Sequence, residues 1–120
     1  MKIRLCSEEG AAGVCQIRAE GEIRSIEEPQ DLRDIERVLG PQCYRRKILL
    51  DLEETPHIDS SGVSWLVHLH KTSRIAGGML IVHSAAPGVT AVLKLLGMQR
   101  YLNLVADERA ARALALGGEA

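Results

Sequence analysis

Hydrophobic residues along this chain follow two spacings, one typical of strands and one typical of helices. Apolar and polar residues alternate at 2–6 and again at 14–20. This alternation predicts two half-buried strands, and the Gly-containing segment between them predicts a hairpin. Short aliphatic runs at 48–50 and 79–83 predict strands buried on both faces, and 101–105 predicts a last short strand.

Four other segments carry apolar residues at helical spacing, and they cover residues 29–39, 60–76, 87–96 and 107–116. Pro29 and Pro87 suit the first turn of a helix, whereas Gly40 and Gly97 suit positions just after a helix end. The apolar positions of the first three segments fall on one face, as expected for helices that pack on a sheet, and the last segment is rich in Ala.

The resulting order, β-β-α-β-α-β-α-β-α, predicts an α/β fold. We expect a single four- to five-stranded mixed sheet with an N-terminal hairpin and about four helices. Because segments 48–50 and 80–82 are wholly aliphatic, we expect them to be interior strands. The chain is predicted to form a single domain over residues 1–116, with a flexible tail at 117–120.

Composition and charge narrow the classes of function. The 120 residues carry a formal net charge of -1, which gives no electrostatic reason to expect a nucleic acid or an anionic membrane as partner. The apolar runs are too short to span a bilayer, and the first residues lack a signal-peptide core. We therefore expect a cytoplasmic protein that is not inserted in a membrane.

The cysteines and histidines give little indication of a metal or redox site. Three widely spaced cysteines fit neither a disulfide framework nor a zinc motif. Cys6 and Cys15 lie in predicted strands and are expected to be core residues, while Cys43 is expected to be an exposed thiol in a loop. His68 and His70 diverge on a helix, so we expect no metal, and no motif indicates a cofactor.

The most informative segment is the turn Asp59-Ser60-Ser61-Gly62, which comes just before the central helix. Its first three residues are all good helix N-caps, so the turn is explained most simply as a cap. One cap suffices, however, and Gly62 is costly in a helix, which suggests close packing. A phosphate on Ser60 would meet the positive end of the helix and should leave the fold intact.

The 3.6-residue period places one face of the central helix on the sheet, with Gly62, Leu66, Leu69, Ser73 and Ala76 at its centre. Trp65 lies on one flank of this face, and Val63 and Val67 lie on the other. These three residues are either a partly exposed apolar patch beside Ser60 or simply the edges of the core stripe.

At this point the sequence resembles a known family. The stretch LLDLEETPHIDSSGVSWLVHLHKTSRIAGG resembles the buried strand, short loop, Asp-Ser-Ser-Gly turn, helix and Gly-Gly of STAS domains, the fold of the bacterial anti-sigma factor antagonists. The stretch MLIVHSAAPGVTAVLKLLGMQRYLNL is similar to the next strand, the Pro-led helix and the Gly before the last strand of that family. One position departs from the pattern, since Arg24 stands where the family often has an Asp.

The resemblance implies a regulatory module whose partner is an anti-sigma factor that is also a serine kinase. In such antagonists the first Ser after the Asp is phosphorylated, which implies Ser60 as the acceptor and a transcription-regulating phosphoprotein. A homodimer is left open. The residues expected to contact the partner are Asp59, Ser60, Ser61, Gly62, Val63 and Val67.

Two alternatives belong to other classes of protein. Small STAS proteins also serve lipid-transport ABC complexes at the cytoplasmic side of a membrane, so the resemblance allows that role as the second hypothesis. An enzyme would need Ser60 or Ser61 as nucleophile, with His57 or His83 recruited as base. The chain lacks a Gly-x-Ser-x-Gly elbow, and we expect that it is not an enzyme.

Overall fold

A mixed five-stranded sheet runs through the residues that the structure, a computed structural model, describes, namely 1–9 and 13–117. The strands are β1 (Lys2–Glu9), β2 (Val14–Glu20), β3 (Lys47–Asp51), β4 (Met79–His83) and β5 (Asn103–Val105). They lie side by side in the order β1-β2-β3-β4-β5, with β1 antiparallel to β2 and all other pairs parallel. The predicted hairpin and the interior positions of β3 and β4 are confirmed.

The described residues also form four α-helices: α1 (Arg33–Leu39), α2 (Ser60–Ile75), α3 (Pro87–Leu95) and α4 (Glu108–Ala115). The element order is the predicted one. Helices α1, α2 and α3 connect the parallel strands and share one core cluster, to which they contribute Ile35, Leu66 and Leu93 among others. Helix α4 packs on the opposite face of the sheet, where Ala111 and Ala115 meet a smaller cluster.

Strand β3 explains why its segment is wholly aliphatic. Ile48 and Leu50 belong to the cluster under α1–α3, whereas Leu49 belongs to the cluster under α4. All three side chains are fully buried. Because successive side chains of a strand point to opposite faces, a strand covered on both sides needs an apolar residue at every position.

Several expectations are corrected at the element ends. Strand β1 continues to Glu9 instead of stopping near residue 6, because a bulge between Leu5 and Ser7 breaks the alternation that marks a strand. Helix α1 begins at Arg33 instead of near Pro29, after a turn in which the Asp31 carboxylate accepts from the Arg33 backbone N–H at 2.9 Å. Strand β5 begins at Asn103.

The predictions for the cysteines are also corrected in part. Cys15 is buried as expected, but Cys6 is exposed beside the bulge of β1. Cys43 is fully buried in a short 3-10 turn, and burial raises the pKa of its thiol to about 11. Residues 118–120 of the predicted tail lie outside the described residues.

Candidate functional site

The start of α2 is fixed by the side chain of Asp59. This residue is extended (φ −115°, ψ −172°), and its Oδ1 accepts a hydrogen bond from the Gly62 backbone N–H at 3.0 Å. The same oxygen accepts from the Ser61 hydroxyl at 2.6 Å, and Oδ2 accepts from the Ser25 backbone N–H at 2.9 Å. The prediction that the Asp-Ser-Ser turn caps a helix is confirmed.

These donors keep the Asp59 side chain ionised. The hydrogen bond from Ser61 and the backbone N–H groups of Ser25 and Gly62 lower the pKa of this carboxyl to about 2. Donors that bond the charged form favour it, so the pKa falls. At neutral pH a full negative charge therefore stands next to Ser60.

Ser61 holds the loop that follows β2 against the helix start. Its half-buried hydroxyl donates to Asp59 and accepts from the Ile26 backbone N–H at 2.9 Å. In the same loop, Ser25 has a left-handed backbone (φ 55°), which is uncommon for a residue other than glycine. Ser61 thus links the loop after β2 to the start of α2 through hydrogen bonds, a role that the sequence pattern did not predict.

Gly62 allows that loop to approach the helix closely. A Cβ atom at this position would collide with the carbonyl oxygen of Ile23 and would lie 2.6 Å from Ile58 Cγ1. Ile23 and Ile58 form a parallel bridge beside the sheet, and both are buried. The expectation that Gly62 marks close packing is confirmed.

Ser60 differs from both of its neighbours. It is the first residue of α2, and it is exposed. Within residues 1–9 and 13–117, its hydroxyl makes no hydrogen bond with another protein group, whereas the hydroxyl of Ser61 makes two. The one free hydroxyl of the turn is therefore that of Ser60.

A surface groove of about 500 Å³ runs from Ser60 along α2 towards the end of α3. Its lining joins the exposed side of α2 to Gln30 and the segment after α3, and consists of Gln30, Ser60, Val63, Ser64, Val67, His68, Lys71, Leu96 and Met98. Leu96 is 48 % exposed, although helical spacing assigned it to the buried face of α3. The sequence pattern did not predict the α3 side of this groove.

The predicted apolar patch is only partly present. Val63 is 6 % exposed and Trp65 is buried, because the helix turns both side chains into the core. Val67 is half-buried and packs against the core edge. Val63 and Trp65 are therefore edges of the core stripe, the second of the two readings given above, and apolar surface beside Ser60 is provided by Val67, Leu96 and Met98.

Arg24 lies on the loop that Asp59 and Ser61 hold. Its guanidinium pairs with Glu22 at 2.9 Å, and its side chain is half-exposed. This basic side chain is therefore on the protein surface, in a loop whose backbone is hydrogen-bonded to the start of α2.

Neither histidine considered as a catalytic base is hydrogen-bonded to a serine of the turn. His57 is exposed in the loop before the turn, and His83 is buried at the end of β4. The ring nitrogens of His83 lie 2.8 Å from Ser84 Oγ and 3.2 Å from Gln16 Oε1. Among the described residues, no histidine is hydrogen-bonded to Ser60 or Ser61.

The family model for the STAS domain matches residues 7–111 of this chain. The chain belongs to the STAS domain family. No helix among its described residues is both long and apolar enough to cross a membrane.

Solved structures show the same STAS fold at low sequence identity. TM1081 of Thermotoga maritima, whose assignment as an anti-sigma factor antagonist is provisional, is 18% identical over 94% of this chain and 93% of its own, with a TM-score of 0.73. The anti-sigma factor antagonist SpoIIAA, solved in its unphosphorylated form, is 20% identical over 98% and 99%, with a TM-score of 0.66. An anti-sigma-factor antagonist domain protein from Planctomyces limnophilus is 22% identical over 98% and 100%, also with a TM-score of 0.66.

Proposed function

We propose that this STAS domain is an anti-sigma factor antagonist whose binding to a protein partner is switched by phosphorylation of Ser60. The partner is an anti-sigma factor with serine kinase activity, as in the antagonists that the chain resembles. One observation carries the proposal: of the two serines in the turn, only Ser60 has an exposed hydroxyl without a structural hydrogen bond.

The fold should tolerate a phosphate at this position. Ser60 begins a 16-residue helix, and the N-terminal end of a helix favours negative charge. No hydrogen bond of the described residues has to break to free its hydroxyl. The ionised carboxylate of Asp59 opposes the phosphate, but its own charge is already offset by three hydrogen-bond donors.

The same phosphate should interfere with a bound partner. A protein seated in the groove would cover Val67, Leu96 and Met98, which lie on the groove that begins at Ser60. A dianionic group beside this apolar surface would lose its hydration on binding, which is costly unless the partner supplies a cation. Phosphorylation therefore weakens the complex without unfolding the antagonist.

The test uses the partner recovered from the source cell by pull-down. Ser60→Asp should weaken its binding by at least about tenfold, or about 1.4 kcal/mol, measured by calorimetry. Ser60→Ala should bind like the wild type but accept no phosphate, and both variants should melt close to the wild type.

Ser61→Ala is the matched control in the kinase assay. It loses two hydrogen bonds and some stability, but it should still be phosphorylated at Ser60. Phosphate on Ser61 in the wild type, or wild-type affinity of Ser60→Asp, would contradict the proposal. Recovery of a permease and an ATPase instead of a kinase would favour the lipid-transport alternative.

A further inference from the structure

A second cavity lies near the far end of α2, between this helix and the strands at the β5 edge of the sheet. Its volume is about 290 Å³, close to the lower limit for small-molecule sites. It is lined by His70, Arg74, Gly78, Met79, Leu80, Tyr101 and Asn103. Helix α2 contributes the first two of these, and the opposite wall comes from β4 and the segment around the start of β5.

His70 is the unusual residue of this cavity. His70 is only 7 % exposed, and its ring packs edge-on against the Tyr101 ring, with the two ring centroids 4.9 Å apart. Nδ1 is buried without a hydrogen-bond partner, and neither ring nitrogen bonds to any other described residue. A buried polar atom of this kind is uncommon and requires an explanation.

Arg74 is the one charged side chain of the described residues that lines the cavity beside His70. Arg74, one turn further along α2, forms no ion pair within the part of the chain that the structure describes, and no described carboxylate lines the cavity. The carbonyls that end α2 already accept from backbone N–H groups: Thr72 from Ala76, Ser73 from Gly78 and Arg74 from Gly77. The Arg74 guanidinium is therefore not required as a cap for the helix.

The other wall offers an apolar surface and one amide. Met79, Leu80 and the Tyr101 ring supply carbon atoms, and Asn103 is held by a hydrogen bond from Nδ2 to the Leu80 carbonyl at 3.0 Å. The cavity is thus lined by the guanidinium of Arg74, the imidazole of His70 and an apolar wall. A planar guanidinium matches a carboxylate or phosphate group with two parallel hydrogen bonds.

We infer that this cavity binds a small organic anion, with its carboxylate or phosphate on Arg74 and His70 and its compact apolar body against Tyr101 and Met79. Burial, together with the positive charge of Arg74, lowers the pKa of His70 in the free protein. A bound anion reverses that influence, so binding should be accompanied by an upward shift of the His70 pKa. The site is independent of the proposed role of Ser60.

The experiment titrates the full chain with benzoate and, separately, with phenyl phosphate, and follows the amide and arginine side-chain signals by NMR. Saturable shifts should centre on His70, Arg74, Tyr101 and Asn103, and the tighter of the two probes identifies the acid group. Benzamide, which has the same ring but no charge, should not bind. The His70 pKa should rise in the presence of the anion that binds.

Arg74→Gln should weaken anion binding by at least about tenfold, since it removes a charge-assisted pair. Lys71→Gln is the matched control, because it removes an exposed cation of the same helix that lines the other groove, and it should leave binding unchanged. Shifts that do not saturate, equal shifts with benzamide, equal binding by Arg74→Gln, or an unchanged His70 pKa would each overturn the inference.

Discussion

Two serines of α2 differ in whether their hydroxyl groups are hydrogen-bonded. Ser61 makes two hydrogen bonds that hold a loop, whereas the fully buried hydroxyl of Ser73 has no partner among the described residues. A buried polar group without a partner loses its hydration and gains nothing in return. The two residues therefore contribute to stability with opposite sign.

Ser73→Ala should accordingly raise the free energy of unfolding by up to about 1 kcal/mol, because it removes an unpaired hydroxyl and Ala favours helix more than Ser does. Ser61→Ala should lower it by roughly 1–3 kcal/mol, since the Ile26 N–H loses its acceptor. Urea denaturation of both variants measures the difference. A loss of stability in Ser73→Ala would mean that the hydroxyl has a partner after all.

At this scale the sequence was a partial guide to the site. The cap by Asp59 and the close packing at Gly62 could be predicted from the turn, whereas the role of Ser60 stays a prediction that rests on the family resemblance. The bonds of Ser61 to Asp59 and of the Ile26 N–H to Ser61 could not be inferred, since the loop before α1 has no periodic pattern. Contacts between irregular segments depend on the tertiary fold.

At the scale of elements, the start of α2 and the loop after β2 form one packed unit. Ile23 accepts from the Asp59 backbone N–H at 3.3 Å and donates to the His57 carbonyl at 3.0 Å. The loop thereby continues the sheet by one bridge and places Ser25 and Ile26 on the helix start. The geometry of the proposed phosphorylation site depends on this packing.

Gly62→Ala should disrupt that unit. The added methyl would meet the backbone of Ile23, which cannot move without breaking the bridge, so a loss of about 1–3 kcal/mol or more is expected. Gly88→Ala, in the first turn of α3, is the control. Its Cβ would lie 3.2 Å from the Pro56 carbonyl in an exposed loop, and the change should stay within about 1 kcal/mol. Similar denaturation midpoints for the two variants would falsify this account of Gly62.

Most elements could be predicted because their apolar period is strong. Strands β3 and β4 are aliphatic at their three central positions, and the buried faces of α1 and α2 follow the helical repeat. The failures have local causes. The bulge in β1 breaks the alternation of its second half, and Leu96 lies just after the last residue of α3, where it is half-exposed.

The whole molecule presents its two proposed sites at opposite ends of one helix. Ser60 and the cavity at His70 and Arg74 are separated along α2, whose 16 residues span about 24 Å. One face of the sheet is covered by three helices and the other by α4 alone. On that second face, the buried polar side chains of Gln16, Asp51 and His83 form a cluster, in which His83 Nε2 lies 3.2 Å from Gln16 Oε1.

This cluster should make the stability of the whole domain sensitive to acid. Burial lowers the pKa of His83 below its usual 6.5, although Asp51 opposes the shift. The folded protein therefore binds this proton less readily than the unfolded chain does. The contribution is fully present above about pH 6.5 and is lost as the pH falls through the lower, folded-state pKa.

His83→Gln should remove part of this dependence. The free energy of unfolding, measured by denaturant titration at a series of pH values, should fall less steeply for the variant than for the wild type below about pH 6.5. Some decline will remain, because burial also lowers the pKa of His70. Identical slopes for variant and wild type would show that His83 does not contribute.

The difference between the two hydroxyls of the turn bears on how a kinase selects its substrate. In the folded domain an enzyme meets one accessible acceptor, because the neighbouring oxygen is engaged with Asp59 and Ile26. In an unfolded chain or a short peptide of the same sequence, both hydroxyls are accessible. For the phosphorylation proposed above, selectivity between the adjacent serines would therefore reside in the substrate, and a kinase with little preference of its own for local sequence would still modify a single position.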